Sequence, residues 1–187
     1  MTTIYFVRHA EADRSTTEDR NRPLTAKGQA DCALVTEFLQ NKNIDVIISS
    51  PYKRAVDTIA DFAESLEMSI EKIEDFRERE RAWMEDMRPY TEKQWADFSY
   101  KHPGGECLAE VQDRNIAALN DVLNRHKNMN IVICTHGFAL STIINFFDKN
   151  YGFDEWMEMA FINPWVVKMV FEDGDCVAIE KINLFEL

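Results

Sequence analysis

The chain has 187 residues, of which 45% are apolar and 11% aromatic. That suffices for one domain burying roughly 70% of its unfolded surface without a disulfide or metal staple, and it excludes a mainly disordered chain. Its 21 basic and 33 acidic residues give a net charge of −12, which argues against nucleic acid as a partner, and no apolar run is long enough to span a membrane.

The charge is uneven along the chain. Residues 1–54 hold eight basic and seven acidic residues, a net of +1, whereas residues 55–187 hold thirteen and twenty-six, a net of −13. An anionic ligand is therefore expected in a local pocket that draws on the first segment, against a repulsive global field. The four cysteines, Cys32, Cys107, Cys134 and Cys176, form no C-x-x-C pair and read as buried free thiols. Met1-Thr2-Thr3-Ile4-Tyr5 carries no basic region and soon meets Arg8 and His9, unlike a secretory signal, so a reducing cytoplasm is the expected location.

Thr3-Ile4-Tyr5-Phe6-Val7 is short, β-branched and aromatic, and predicts a buried strand. A polar loop follows, from Glu11 to Pro23. Thr25 then caps a helix to about Gln40, with Ala30, Ala33, Leu34 and Phe38 expected on its inner face. Asp45–Ser49 predicts a second strand. Ser50-Pro51 reads as a cap with proline at the first helical position, continued by Ala55, Ile59, Phe62, Ala63 and Leu66. Residues 69–76 are a candidate third strand.

Residues 77–105 are highly charged, carry Trp83, Met84, Met87, Trp95 and Phe98, and end in Pro103-Gly104-Gly105. They read as a lid-like excursion with a short helix near 91–100, lying over a site. Its aromatics are either local core or a wall facing substrate. A helix follows from Glu106 to about Arg125, then a strand at Asn130–Cys134 and a helix at Phe138–Phe147. Val166–Phe171 and Cys176–Ile182 flank Asp173-Gly174-Asp175, a hairpin signal. His102 and His126 read as surface residues, and Asp154, Glu155 and Glu158 as a solvated helix face.

Strands alternating with helices predict an α/β sandwich of three layers. Its sheet is mostly parallel, with helices on both faces and an antiparallel edge, in a single domain over residues 1–187. Such sheets bind ligands beyond the carboxyl ends of their strands. Three strands end there in chemistry: Arg8-His9, Ser49-Ser50-Pro51-Tyr52-Lys53-Arg54 and Thr135-His136-Gly137. Arginine forks bind phosphate oxygens, and helix N-termini add N–H donors. A neutral histidine is a competent nucleophile toward phosphorus, and a second, protonated one would stabilise a phosphoryl group in flight. The constellation points to phosphoryl transfer through a phosphohistidine.

These residues and their surroundings resemble the histidine phosphatase superfamily, with its phosphoglycerate mutase-like fold. Arg8-His9-Ala10-Glu11 is similar to its R-H-G signature, Pro23-Leu24-Thr25-Ala26-Lys27-Gly28 to its P-L-T-x-x-G stretch, and Ser49–Thr58 to its S-x-x-x-R-A-x-x-T element. Phe76-Arg77-Glu78-Arg79 resembles its L-x-E segment, and Gly104-Gly105-Glu106 and Thr135-His136-Gly137 match two later elements, all in family order. The resemblance implies that His9 is the phosphorylated nucleophile and that Arg8, Arg54 and His136 hold the phosphate. Glu78 would protonate the leaving group and later activate water, with no metal and no cofactor. Glu80, Glu85 and Glu106 are the other candidates for the acid.

The chain departs from the pattern at Ala10, where glycine is usual, at Ala12 and Ser15, where threonine and asparagine are frequent, and at Arg81–Asp86, which replaces a W-E-G run. The first motif is closer to the small phosphohistidine-protein phosphatases, which usually lack a glutamate such as Glu78. The expected activity is phosphomonoester hydrolysis on a small phosphorylated metabolite or a phosphoprotein. Phosphohistidine-protein dephosphorylation and phosphoglycerate mutase-type transfer are the alternatives.

Overall fold

The structure, a computed structural model, describes residues 1–81 and 86–187. Six strands form one sheet: β1 (Thr2–Arg8), β2 (Val46–Ser49), β3 (Ile70–Lys72), β4 (Asn130–Thr135), β5 (Trp165–Glu172) and β6 (Asp175–Ile182). Their order is β3-β2-β4-β1-β5-β6. The first four are mutually parallel, while β5 runs antiparallel to β1 and β6 antiparallel to β5. The expected mostly parallel sheet with an antiparallel edge is what forms. The β5–β6 turn is tighter than the sequence pattern suggests, because Asp173 and Gly174 alone make it, with φ of 51° and 97°.

The helices are α1 (Ala26–Leu39), α2 (Lys53–Ser65), α3 (Met87–Ala96), α4 (Leu108–Arg125), α5 (Gly137–Phe147) and α6 (Phe153–Met159). One core packs Val35 and Leu39 of α1 and Ala55, Ile59 and Phe62 of α2 on Tyr5, Val7, Ile47 and Val132 of the sheet. The other packs Leu119 and Val122 of α4 and Leu140, Ile143 and Ile144 of α5 on Ile4, Phe6, Ile131, Ile133 and Val167. Alternate residues of β1 thus serve opposite faces, as the pleat requires, and the sheet is the middle of three layers.

Several local expectations shift. Helix α1 buries Gly28, Cys32, Val35 and Leu39, not the stripe through Ala30 and Ala33, both of which are exposed. Its apolar residues are spread around the helix, so periodicity alone does not select the inner face; close packing of Gly28 on Glu11 does. Helix α2 begins at Lys53, because Ser50 Oγ accepts from Tyr52 N at 3.3 Å in a tight turn ahead of it. Strand β3 is only three residues long and is followed by a 3₁₀ turn at Glu74–Phe76.

In the excursion, α3 starts at Met87, where Asp86 caps the Arg88 amide, and Pro89 falls harmlessly in the first turn. Trp95 packs against the larger core and its ring meets those of Phe98 and Tyr151, so this pair is structural rather than a substrate wall. Trp83, Met84 and Glu85 lie outside the described residues. His102 is half-buried between Tyr90 and Tyr100 instead of standing on the surface, and His126 is half-buried too. All four cysteines are free; Cys176, on the edge strand, is only half-buried. No described helix is long and apolar enough to cross a membrane.

Candidate active site

The ladders bring three strand ends level. Arg8 pairs with Thr135 and Ser49 with Cys134. One residue further, the His9 amide donates to Thr135 O at 3.0 Å and the Ser50 amide to Cys134 O at 2.8 Å. His9, Ser50 and His136 therefore leave the sheet together at its carboxyl edge, and Arg54 reaches them from the first turn of α2. The rings of His9 and His136 lie 5.1 Å apart, edge to face.

His9 is held in one tautomer. Arg54 Nε, which can only donate, lies 3.1 Å from His9 Nε2, so Nε2 carries the lone pair and Nδ1–H donates to Ala10 O at 2.7 Å. Burial, then the charges of Arg54 and Arg8, push its pKa well below the ordinary 6.5, so the ring is neutral. Asn163 Nδ2 donates to the His9 carbonyl at 3.0 Å, and the Ala10 amide donates to Thr58 Oγ1 at 3.0 Å. Ala10 is not among the residues with positive φ, which is why alanine serves where glycine was expected.

His136 is fully buried and likewise neutral, its pKa lowered by burial and by Arg54. Ser50 Oγ accepts from the Tyr52 amide and lies 2.8 Å from His136 Nε2, where the hydroxyl can donate or accept. When the hydroxyl donates, the proton of the neutral ring sits on Nδ1, a buried atom without a partner. A protonated imidazolium, as expected from the sequence, is not needed for this histidine to offer a donor.

Arg8 is presented differently from the expected fork. Its Nη1 donates to Met159 O at 2.6 Å and Ile162 O at 3.0 Å, and Nη2 to Ala160 O at 3.1 Å. Both Nη atoms thus hold carbonyls at and just beyond the C-terminal end of α6. Nε is left buried and unpartnered against the start of α5, where a Cβ on Gly137 would stand 3.5 Å away. Burial pushes the Arg8 pKa down to about 10, with Glu78 acting in the opposite direction.

Arg54 is 3% exposed and fully engaged. Besides His9, it donates through Nη1 to Asp19 O at 2.6 Å and Oδ1 at 3.2 Å, and through Nη2 to Asp19 Oδ2 at 3.4 Å. Arg22 also pairs with Asp19, at 3.0 Å. Asp19 carries no signal in the sequence, since it is one acid in a polar loop. An anion on Arg54 would exchange places with its carboxylate.

Glu78 follows the 3₁₀ turn, whose Phe76 carbonyl accepts from Thr135 Oγ1 at 2.8 Å. Its Oε1 accepts from the Arg79 amide at 2.8 Å, and its Oε2 from the Phe138 amide at 3.3 Å. The carboxyl is thus tied to the N-terminus of α5, two residues beyond His136. Of the competing acids, Glu80 is exposed, and Glu85 lies outside the described residues. Glu106 is clamped: it accepts from Arg77 Nη1, from Arg114 Nε and Nη2, and from the Glu80 amide, at 2.7–3.0 Å. Burial raises its pKa, but the two arginines and the amide outweigh burial and hold it below the carboxylate range, which makes it a poor proton donor.

Two buried nitrogens without partners, Arg8 Nε and His136 Nδ1, an unprotonated His9 Nε2 and a dense set of arginines in an acidic molecule suit a phosphoryl group. The profile of the histidine phosphatase superfamily, branch 1, matches residues 4–184. The chain belongs to the histidine phosphatase superfamily. It is 31% identical over 179 residues to the uncharacterised phosphatase PhoE of Bacillus subtilis, covering 92% of this chain and 90% of that one. It is 29% identical over 150 residues to phosphoserine phosphatase 1 of Hydrogenobacter thermophilus, covering 73% and 71%. YhfR of Bacillus stearothermophilus superposes with a TM-score of 0.79 at 25% identity, covering 96% of each chain. The fold is accordingly that of the phosphoglycerate mutase-like phosphatases, and the reaction class is that of a phosphoric monoester hydrolase.

Proposed function

We propose that the protein hydrolyses a small phosphomonoester through a phosphohistidine on His9. The observation that carries this reading is the neutral His9 with its lone pair on Nε2, beside the unpartnered buried nitrogens Arg8 Nε and His136 Nδ1. The incoming phosphoryl group takes Arg54 Nε away from His9 Nε2. That nitrogen then attacks phosphorus while the bond to the leaving oxygen breaks, and Glu78 gives that oxygen its proton. Arg54, Arg8 Nε and His136 Nδ1–H neutralise charge on the three equatorial oxygens. Water, losing its proton to Glu78, next attacks phosphorus, the P–N bond breaks, and inorganic phosphate leaves.

The anchored Glu78 supports ester hydrolysis over phosphohistidine-protein dephosphorylation, because an alkoxide needs a proton as it departs. The phosphoserine phosphatase among the relatives favours a small phosphorylated metabolite as substrate. The arginine cluster supplies the charge stabilisation a metal would give, and segment 77–105, which delivers Glu78, is the proposed lid of the single domain. A cytoplasmic location fits the free thiols. Rapid quenching with a labelled phosphomonoester tests the intermediate: acid-labile, alkali-stable label on the peptide containing His9 is expected. Label on serine or aspartate, or none during a burst, overturns it.

A further inference from the structure

A half-buried ion-pair hub lies beside the His9 cluster and outside it. At its centre are Glu106, just ahead of α4, and Arg114, within α4; both side chains are 12% exposed. Arg114 clasps the Glu106 carboxylate through Nε and Nη2 at 2.8 and 3.0 Å. Its remaining hydrogens go to main-chain carbonyls of one short stretch: Nη1 to Asp75 O at 2.6 Å and Arg77 O at 2.9 Å, and Nη2 to Glu78 O at 3.2 Å. From the other side, Glu106 accepts from the Glu80 amide at 2.7 Å and from Arg77 Nη1 at 2.9 Å. The pair therefore holds the backbone immediately before, at and after Glu78.

That stretch needs an external hold. It belongs to no strand and to no helix longer than the three-residue turn at Glu74–Phe76, so its carbonyls find few partners of their own. It presents the Glu78 carboxyl to the first turn of α5, where the Arg79 guanidinium also packs on the Phe138 ring. We infer that the Glu106–Arg114 pair is the positioning device of Glu78, fixing where that carboxyl delivers and recovers its proton. The pair makes no hydrogen bond to His9, Arg8 or His136, and Arg114 reaches His136 only through its charge, which Arg114→Lys keeps, so its fork acts on the proton of Glu78. This rests on the reading of Glu78 as the acid.

The test compares phosphorylation rate constants for an alkyl and a nitrophenyl phosphate by rapid quench. The variants are Arg114→Met, Arg114→Lys, Glu78→Gln and the double variant Arg114→Met/Glu78→Gln. Displacing a catalytic group by about 1 Å can cost about a hundredfold. Arg114→Met should therefore slow the alkyl substrate about 10–100-fold while leaving the aryl substrate within about threefold. Adding it to Glu78→Gln should produce no further loss, because both changes act through one carboxyl. Arg114→Lys keeps the charge beside Glu106 but lacks the fork, and should show the same leaving-group bias in smaller measure. It also carries the test if Arg114→Met fails to fold.

Equal losses on the two substrates, or full additivity with Glu78→Gln, would overturn the inference and leave the pair a structural support. Failure of the underlying reading is seen separately: Glu78→Gln alone would then slow both substrates equally.

Discussion

His9 and His136 are kept unprotonated by burial and by Arg54, and that choice costs stability in acid. Both have folded-state pKa values below the unfolded value near 6.5. Under mildly acidic conditions the unfolded chain takes up protons that the folded one refuses. Stability should therefore be flat above about pH 7 and fall below about pH 6.5, by about 1.4 kcal/mol per pH unit for each histidine. Urea midpoints measured from pH 7.5 to 5 should show this slope, and His9→Asn should remove half of it; an unchanged slope would contradict the neutral assignment. Arg54 invites a second measurement. Its place on a helix gave no reason to expect burial, yet its guanidinium binds His9 and Asp19. Arg54→Ala should cost about 1–3 kcal/mol of stability, as for hydrogen bonds to charged groups, in addition to a large loss in kcat/KM. It should also move the His9 pKa upward toward 6.5, because one of the charges depressing it is gone; an NMR titration reads this directly.

The elements owe their placement to a few close approaches. Helix α1 is capped by Thr25, whose Oγ1 accepts from the Gly28 amide at 2.9 Å, as the sequence implied. Gly28 has a second reason to be glycine: a Cβ there would stand 2.1 Å from the carbonyl oxygen of Glu11. Glu11 lies two residues beyond His9, the proposed nucleophile, and its carbonyl also accepts from the Thr25 amide at 2.9 Å. Gly28→Ala must then push α1 away from the loop that follows His9. A loss of about 1–3 kcal/mol is expected, the usual range for overpacking, with a fall in kcat as His9 shifts. A variant of unchanged thermal midpoint and unchanged kcat would show that this contact is slack. Helix α6 is similarly tied, its C-terminal carbonyls engaging the two Nη groups of Arg8 and leaving Nε for the site.

At the scale of the whole molecule, an acidic protein binds an anion at a locally basic place. Arg8, Arg22 and Arg54 all come from the first 54 residues, whose net charge is +1 against −12 for the chain. Raising ionic strength shortens the screening length from about 30 Å at 0.01 M to about 8 Å at 0.15 M. That range hides the distant acids before it hides arginines in contact with the ligand. With a dianionic phosphomonoester, kcat/KM should rise over this range; a fall would mean that the basic segment dominates the long-range field. Exhaustive EDTA treatment should leave turnover nearly unchanged, since in the proposed mechanism the arginines and His136 stabilise the developing charge. Loss of activity restored by Zn²⁺ or Mn²⁺ would assign that role to a metal.

The sequence by itself determined the strands, the capped start of α1 and the three strand ends that carry Arg8-His9, Ser50–Arg54 and Thr135-His136, because these are properties of short runs: apolar continuity, a cap, a motif. It did not determine the inner face of α1, the start of α2 or the core role of Trp95, because in each case a partner distant in the chain chose among locally equivalent options. The same holds for the hydrogens of the site. Which nitrogen of His9 bears the proton is decided by Arg54, 45 residues away in the chain. Which part of Arg8 is free is decided by carbonyls some 150 residues away. Asp19 and Arg114 were invisible as isolated charges; only folding set one against Arg54 and the other beneath Glu78. Residue types and spacing announce the chemistry, but hydrogen-bond partners far apart in the chain decide its protonation and its aim.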